Sequence, residues 1–175
     1  MAKVSVARFL DLFRRTGLVE EPQLAETLQE VTQQCDGSLP ATPEELADRF
    51  VDAGLLSRWQ ADNLLQGKHK GFFLGRYKLL GHLGRGGMSN VYLAEHIMMK
   101  RRVAIKVLPQ NKVEDSSYLE RFKLETQAAA ALDHPNIVRA YDTDHKDKTY
   151  YLVMEYVDGR DLQAIVQQDG PLGFE

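Results

Sequence analysis

Gly84, Gly86 and Gly87 share one turn, Lys106 ends an apolar run further along, and Glu125 falls on the apolar side of the next helical pattern. Those residue types in that order could handle a phosphorylated ligand. Glycine lets backbone approach a ligand closely, and successive N–H groups can cradle phosphate oxygens. A lysine nearby would place an ammonium beside those oxygens, and a carboxylate would hold the ammonium in position.

The turn reads Leu83-Gly84-Arg85-Gly86-Gly87-Met88-Ser89-Asn90-Val91 between two strand-like runs. A strand follows it where a dinucleotide-binding fingerprint would open a helix. No Gly-Lys-Ser/Thr closes it, so it is not a P-loop. Alone the turn says little, because glycine-rich hairpins are common.

Glu125 carries more weight. Residues 116–132 read as an amphipathic helix, with Ser117 and Glu120 in capping-box spacing. At about 100° per residue, Tyr118, Phe122, Ala129 and Leu132 share a stripe and Glu125 falls between them. A buried carboxylate without a partner is too costly to keep, so the helix calls for a facing cation. Lys106 closes the run Val103-Ala104-Ile105-Lys106 and is the candidate. Ala104 shares its strand face and leaves room there for a flat ring. The expectation is a buried Lys106–Glu125 pair.

The elements that must position these groups follow from residue 77 onward. Residues 77–83 and 90–96 form a hairpin around the glycine turn, and residues 102–108 a third strand stopped by Pro109. Residues 111–115 connect to the helix. A second hairpin, 137–142 with 149–155, encloses Asp144-His145-Lys146-Asp147-Lys148, a cluster that reads as a solvated turn and not as a metal site. A last helix starts near Asp161 and fades before Gly170-Pro171.

Residues 1–66 have a different character. Their helical pattern is broken at Gly17, at residues 36–40 and at Gly54. Asp11, Phe13, Gly17, Leu18, Gln23 and Leu28 recur 37 positions later as Asp48, Phe50, Gly54, Leu55, Gln60 and Leu65. Two helical hairpins that bury a shared face are expected, with Trp59 in their core and no ligand site. Gly67-Lys68-His69-Lys70-Gly71 opens a basic linker spanning 67–76.

Composition excludes some classes. The chain has 175 residues, 43% hydrophobic and 27% charged, with a net charge of −3. That balance gives no reason to expect nucleic acid or an anionic membrane as partner. Cys35 is the only cysteine, so neither a disulfide framework nor a cysteine metal site is expected. No run reaches the roughly 18 apolar residues of a membrane span, and the start lacks a signal peptide's apolar core. A soluble, cytoplasmic chain is the expectation.

Taken together, Leu83 to Tyr92, Val103 to Lys106, Arg121-Phe122-x-x-Glu125, His134-Pro135-Asn136-Ile137-Val138 and Leu152 to Gly159 resemble the N-terminal lobe of a eukaryotic-like serine/threonine protein kinase of the bacterial type. The resemblance implies an α+β fold for residues 77–175: about five antiparallel strands and one main helix, preceded by the all-α module. It implies ATP as cofactor, with Leu83, Val91 and Ala104 around adenine and Met154 behind it. The Glu155 C=O and Val157 N–H would meet the adenine edge, and Asp161 the ribose. The loop Gly84, Arg85, Gly86, Gly87, Met88, Ser89 and Asn90 would cover the phosphates, with Lys106 on the α- and β-phosphates and paired to Glu125.

Two departures stand out. Ser89 replaces the usual third loop glycine, which keeps a small residue there. No His-Arg-Asp and no Asp-Phe-Gly occur in these 175 residues, so the catalytic Asp and the magnesium ligands are absent from them. The expectation is the nucleotide half of a kinase that phosphorylates serine or threonine on proteins, inactive by itself. Its protein substrate is unspecified. A non-catalytic nucleotide-binding or scaffold protein, or an interaction module worked by residues 1–66, are the alternatives.

Overall fold

Left-handed glycines end the first helix of each hairpin in the N-terminal half. The computed structural model describes residues 4–86, 89–108 and 116–171. Helix α1 (Val6–Thr16) is capped by Ser5, whose hydroxyl accepts from Arg8 N, and stops at Gly17 with φ 67°. Helix α2 (Glu21–Gln34) follows and gives Leu24 and Val31 to the same core. Helix α3 (Pro43–Asp52) is capped by Thr42 and followed by Gly54 at φ 71°. Helix α4 (Arg58–Leu65) opens with a reciprocal capping box between Ser57 and Gln60. A positive φ is nearly free for glycine and costly for other residues, which explains why both copies of the repeat keep one.

The repeat is visible in the packing. Phe13 and its counterpart Phe50 meet at 5.3 Å between ring centroids, inside a core that includes Phe9, Leu12, Leu24, Leu46 and Leu64. One repeat pair diverges: Gln23 is exposed, whereas Gln60 has 0% of its surface accessible.

Six antiparallel strands follow in the order β1-β2-β3-β4-β6-β5. They are β1 (Phe73–Leu74), β2 (Tyr77–Arg85), β3 (Asn90–His96), β4 (Arg102–Val107), β5 (Ala140–Lys146) and β6 (Thr149–Glu155). The strand beyond the expected five comes from the stretch read as a linker. Phe73 and Leu74 pair with Lys78 and Tyr77, and Phe72 is buried in the helical core. Residues 72–74 are therefore packed structure and not a free tether. Their aromatic side chains outweigh the glycines and lysines just before them. Strand β5 also runs through the segment expected to be a turn, which narrows to Asp147 and Lys148, with Asp147 at φ 54°.

The sheet is apolar on both faces. Tyr77, Leu79, Ala94, Val103, Ile105, Tyr151 and Val153 form one core, with Trp59 of α4 against its margin. Leu152 on the opposite face joins Leu108 and Phe122 of α5 (Ser116–Ala130), supported by Tyr118 and Ala129. Helix α5 begins one residue before the Ser117 that the sequence nominates as its cap, and Leu132 lies beyond its end, 49% exposed. The last helix, α6 (Leu162–Asp169), is capped by Asp161, which accepts from Ala164 N at 2.7 Å. Among the described residues, no helix is long and apolar enough to cross a membrane.

Candidate active site

Strand alternation puts Ala104 and Lys106 on the face of β4 opposite Val103 and Ile105. Cross-strand register then fixes their neighbours. Val91 stands opposite Lys106, Lys106 opposite Leu152, and Ala104 opposite both Leu93 and Met154. One sheet face therefore carries Val91, Ala104, Lys106 and Met154, as the sequence expects.

Lys106 Nζ donates to Glu125 Oε2 at 2.5 Å, bringing strand and helix together. The partner is the expected one, but the burial is not. The side chains are 28% and 42% exposed. The packed stripe of α5 is Phe122 and Thr126, flanked by Tyr118, Leu119 and Ala129. Glu125 is about 60° from Phe122 and about 40° from Ala129 on the helical wheel, at the edge of that stripe, and reaches Lys106 near the end of β4. The pair is thus a half-exposed ion pair facing a cleft, not an interior one.

That cleft has a volume of about 150 Å³ and is lined by Gly86, Ser89, Lys106, Leu108, Tyr118, Phe122 and Glu125. Ser89 is buried, and its carbonyl accepts from Gly86 N at 2.8 Å, drawing the two ends of the glycine turn together. Leu108, Tyr118 and Phe122 were not singled out as site residues from the sequence. Tyr118 and Phe122 lie one turn apart on the α5 stripe, so helical spacing could have nominated them.

The remaining expected residues lie outside this cleft. Ala104 is buried on the sheet face, and Met154 and Val91 are half-buried. Leu83 and Val157 are exposed, Val157 by 61%. Glu155 N donates to Arg139 O at 2.9 Å. Asp161 has one carboxylate oxygen committed to capping α6. Gly84, Arg85 and Asn90 are in the hairpin arms, where Gly84 opposes Val91 and Arg85 opposes Asn90. Gly87 and Met88, like residues 109–115, lie outside the described residues.

The glycines beside Lys106 have no conformational reason to be glycine. Gly84 and Gly86 are not at positive φ. A Cβ on Gly84 would meet nothing within 4 Å, and one on Gly86 would make ordinary contacts of 3.6 and 3.7 Å with Ser89. Gly75, by contrast, sits at φ 55° with Tyr151 Oη 2.6 Å from where a Cβ would stand.

A second cavity of about 840 Å³ lies between the helical half and the sheet, lined by Trp59, Phe72, Phe73, Tyr92, Lys70 and Lys146 among others. It is the larger of the two but contains neither Lys106 nor Glu125. Among the described residues, no group of three or more His, Cys, Asp or Glu side chains could hold a metal ion.

A glycine turn between antiparallel strands, a strand lysine and a bonded helix glutamate define a protein kinase N-lobe. The protein kinase domain family matches residues 77–174, and the chain belongs to that family. Serine/threonine-protein kinase PrkC of Bacillus subtilis is 50% identical over 98 residues, covering 56% of this chain and 15% of PrkC. Serine/threonine-protein kinase PknB of Mycobacterium leprae is 50% identical over 101 residues, covering 55% of this chain and 16% of PknB. The chain thus spans about a sixth of the length of these relatives. Among solved structures, a variant of the PknI kinase domain of Mycobacterium tuberculosis is similar at TM-score 0.50 and 31% identity, covering 60% of this chain and 42% of that one.

Proposed function

We propose that residues 77–175 form the ATP-binding lobe of a serine/threonine protein kinase whose whole protein transfers the γ-phosphate of ATP to serine or threonine on proteins. The observation that carries this is the pair of glycines at Gly84 and Gly86. The fold would accept a side chain at either position, and bare backbone at Gly86 leaves the cleft over the Lys106–Glu125 pair open to a ligand. The chemistry of the cleft fits a polyphosphate: an accessible ammonium, held by a carboxylate, with Gly86 and Ser89 of the glycine turn beside it.

In this reading Lys106 takes the α- and β-phosphates and Glu125 keeps it from swinging into solvent. Leu83, Val91, Ala104 and Met154 receive adenine, and the Glu155 C=O and Val157 N–H meet its edge. The cleft of about 150 Å³ matches the phosphate end alone, since pockets for whole ligands run to about 300–1,000 Å³. Adenine would therefore rest on a one-sided surface and ATP would bind weakly. Asp161 would meet the ribose with the oxygen that its helix cap leaves free. Magnesium, which completes phosphoryl transfer in this family, would find no cluster of three or more carboxylate, His or Cys side chains among the described residues. Boundaries at 1–66, 67–76 and 77–175 and a cytoplasmic location belong to the same proposal.

Titrating the 175-residue chain with ATP by calorimetry tests the reading, alongside incubation with labelled ATP, magnesium and a generic protein substrate. Weak saturable binding without phosphate incorporation is expected. No binding at millimolar ATP would overturn the nucleotide reading. Incorporation that is lost in Lys106→Met would overturn the view that these residues lack the chemical half.

A further inference from the structure

Helix α4 touches both arms of the hairpin that carries the glycine turn. On the first arm the contact is a buried hydrogen bond. Gln60 Oε1 accepts from Ser57 N at 2.9 Å within the capping box, while its Nε2 donates to Leu79 O at 2.7 Å. Leu79 stands where β2 slips register against β3, between the pairs Leu79–Ala94 and Gly81–Leu93. Strand β1 pairs β2 only as far as Lys78, and Leu79 N is taken by Phe72 O at 2.8 Å. Gln60 thus gives the Leu79 carbonyl the partner that an adjacent strand would otherwise supply.

On the second arm the contact is aromatic. Trp59 packs edge-on against Tyr92 of β3 at 5.9 Å between centroids, and Tyr92 packs edge-on against its cross-strand partner His82 at 5.2 Å. Phe72 braces the other side of Trp59 at 5.8 Å. Tyr92 follows Val91 directly, and Ser89 of the cleft lies three residues before it. Lys78 Nζ adds a bond to Leu18 O at 3.4 Å.

A simple tether needs none of this. A fully buried amide bridging two modules is tolerated only because both its ends are satisfied. It also anchors β2 to α4 at the residue next to its first register slip. The arms it steadies carry Gly86 and Ser89, which line the cleft over Lys106. We infer that Trp59 and Gln60 are positioning residues for the glycine turn, so that the helical half sets how the loop grips the phosphates of a nucleotide over Lys106. This rests on the ATP reading above. Displacing α4 would loosen the phosphate grip while leaving the adenine surface on β4 and β6 in place.

Two substitutions in the 175-residue chain test this, each measured with ATP and with adenosine. Gln60→Met removes the donor to Leu79 O at nearly constant volume. Gln60→Glu removes it only when the introduced carboxyl ionises. For Gln60→Met, ATP affinity relative to the unsubstituted chain is expected to fall about tenfold, roughly the worth of one buried hydrogen bond. Adenosine affinity is expected to hold within about twofold. For Gln60→Glu, the ATP ratio should fall as pH rises through the new group's titration, with the adenosine ratio flat. Equal weakening of both ligands, or a flat ATP ratio in both variants, would overturn the inference. Hydrogen exchange over residues 80–92 separates this from failure of the ATP reading. If the unsubstituted chain binds neither ligand, faster exchange there in Gln60→Met still upholds the grip on the hairpin, and unchanged exchange refutes it.

Discussion

Replacing Lys106 with methionine separates two roles that the Lys106–Glu125 pair could have. In a buried pair, removing one partner costs about 3–5 kcal/mol, because the other charge is stranded in the interior. Here Nζ and Oε2 are 2.5 Å apart, yet the side chains are 28% and 42% exposed. Water can solvate Glu125 once Lys106 is gone, so the stability cost is expected to be about 1 kcal/mol or less. In a domain of this size that shifts the melting temperature by only about 2–4 °C. The ligand side is different. A charge-assisted bond to phosphate is worth about 1.5–3 kcal/mol, so ATP affinity should fall by roughly tenfold to a hundredfold. Urea unfolding supplies the first number and calorimetric titration the second. A loss of more than about 3 kcal/mol in stability with ATP affinity intact would make the pair a structural strut and refute the reasoning.

Two further outcomes can be checked on the same chain. Gly86→Ala is expected to leave stability unchanged or slightly raised, because the site has room and an ordinary φ, while ATP affinity falls; denaturation and titration read the two effects, and a destabilised chain would remove the argument for a ligand. Tyr151 Oη donates to Asp144 Oδ2 at 3.2 Å, and burial, reinforced by the Asp144 charge, pushes its pKa from 10.0 to about 12. The folded state therefore holds this proton longer than the unfolded chain does. Its stabilisation is complete below pH 10 and is lost as pH rises toward about 12. Tyr151→Phe should flatten that alkaline decline in part, leaving the contributions of Tyr77 and Tyr92, which burial also raises, and of Tyr156, raised by its bond to Asp158; unfolding curves across the range would show an unchanged slope if this is wrong.

What was legible in the sequence, and what was not, divides along range of interaction. The repeat counterparts Phe13 and Phe50 and the helix breaks at Gly17 and Gly54 follow from spacing in the sequence, and the structure contains both. Strands β3 and β6 begin and end where alternation places them. The second bond of Gln60 could not be read this way, because Leu79 is distant in sequence and the end of β1 that leaves its carbonyl to Gln60 is a property of the assembled sheet. Trp59 was expected in the helical core and instead stands half-buried between that core and the sheet, for the same reason. Glu125 shows the limit of a helical wheel. The wheel places it within an apolar stripe, but the packing of α5 centres on Phe122 and Thr126, so the carboxylate at the stripe's edge stays wet. Phe72 to Leu74 were masked by the glycines and lysines before them, although two adjacent phenylalanines are themselves a reason to expect burial.

The central claim is that ATP binds beneath the glycine turn, against Lys106 and Glu125. Amide and methyl chemical shifts of the labelled 175-residue chain, followed during titration with ATP, test it most directly. Changes are expected at Gly84–Val91, Ala104, Lys106, Glu125 and Met154–Val157, with the phosphate-end changes lost in Lys106→Met. Changes confined to Trp59, Phe72 and Tyr92, around the larger cavity, or no saturable change at all, would contradict it.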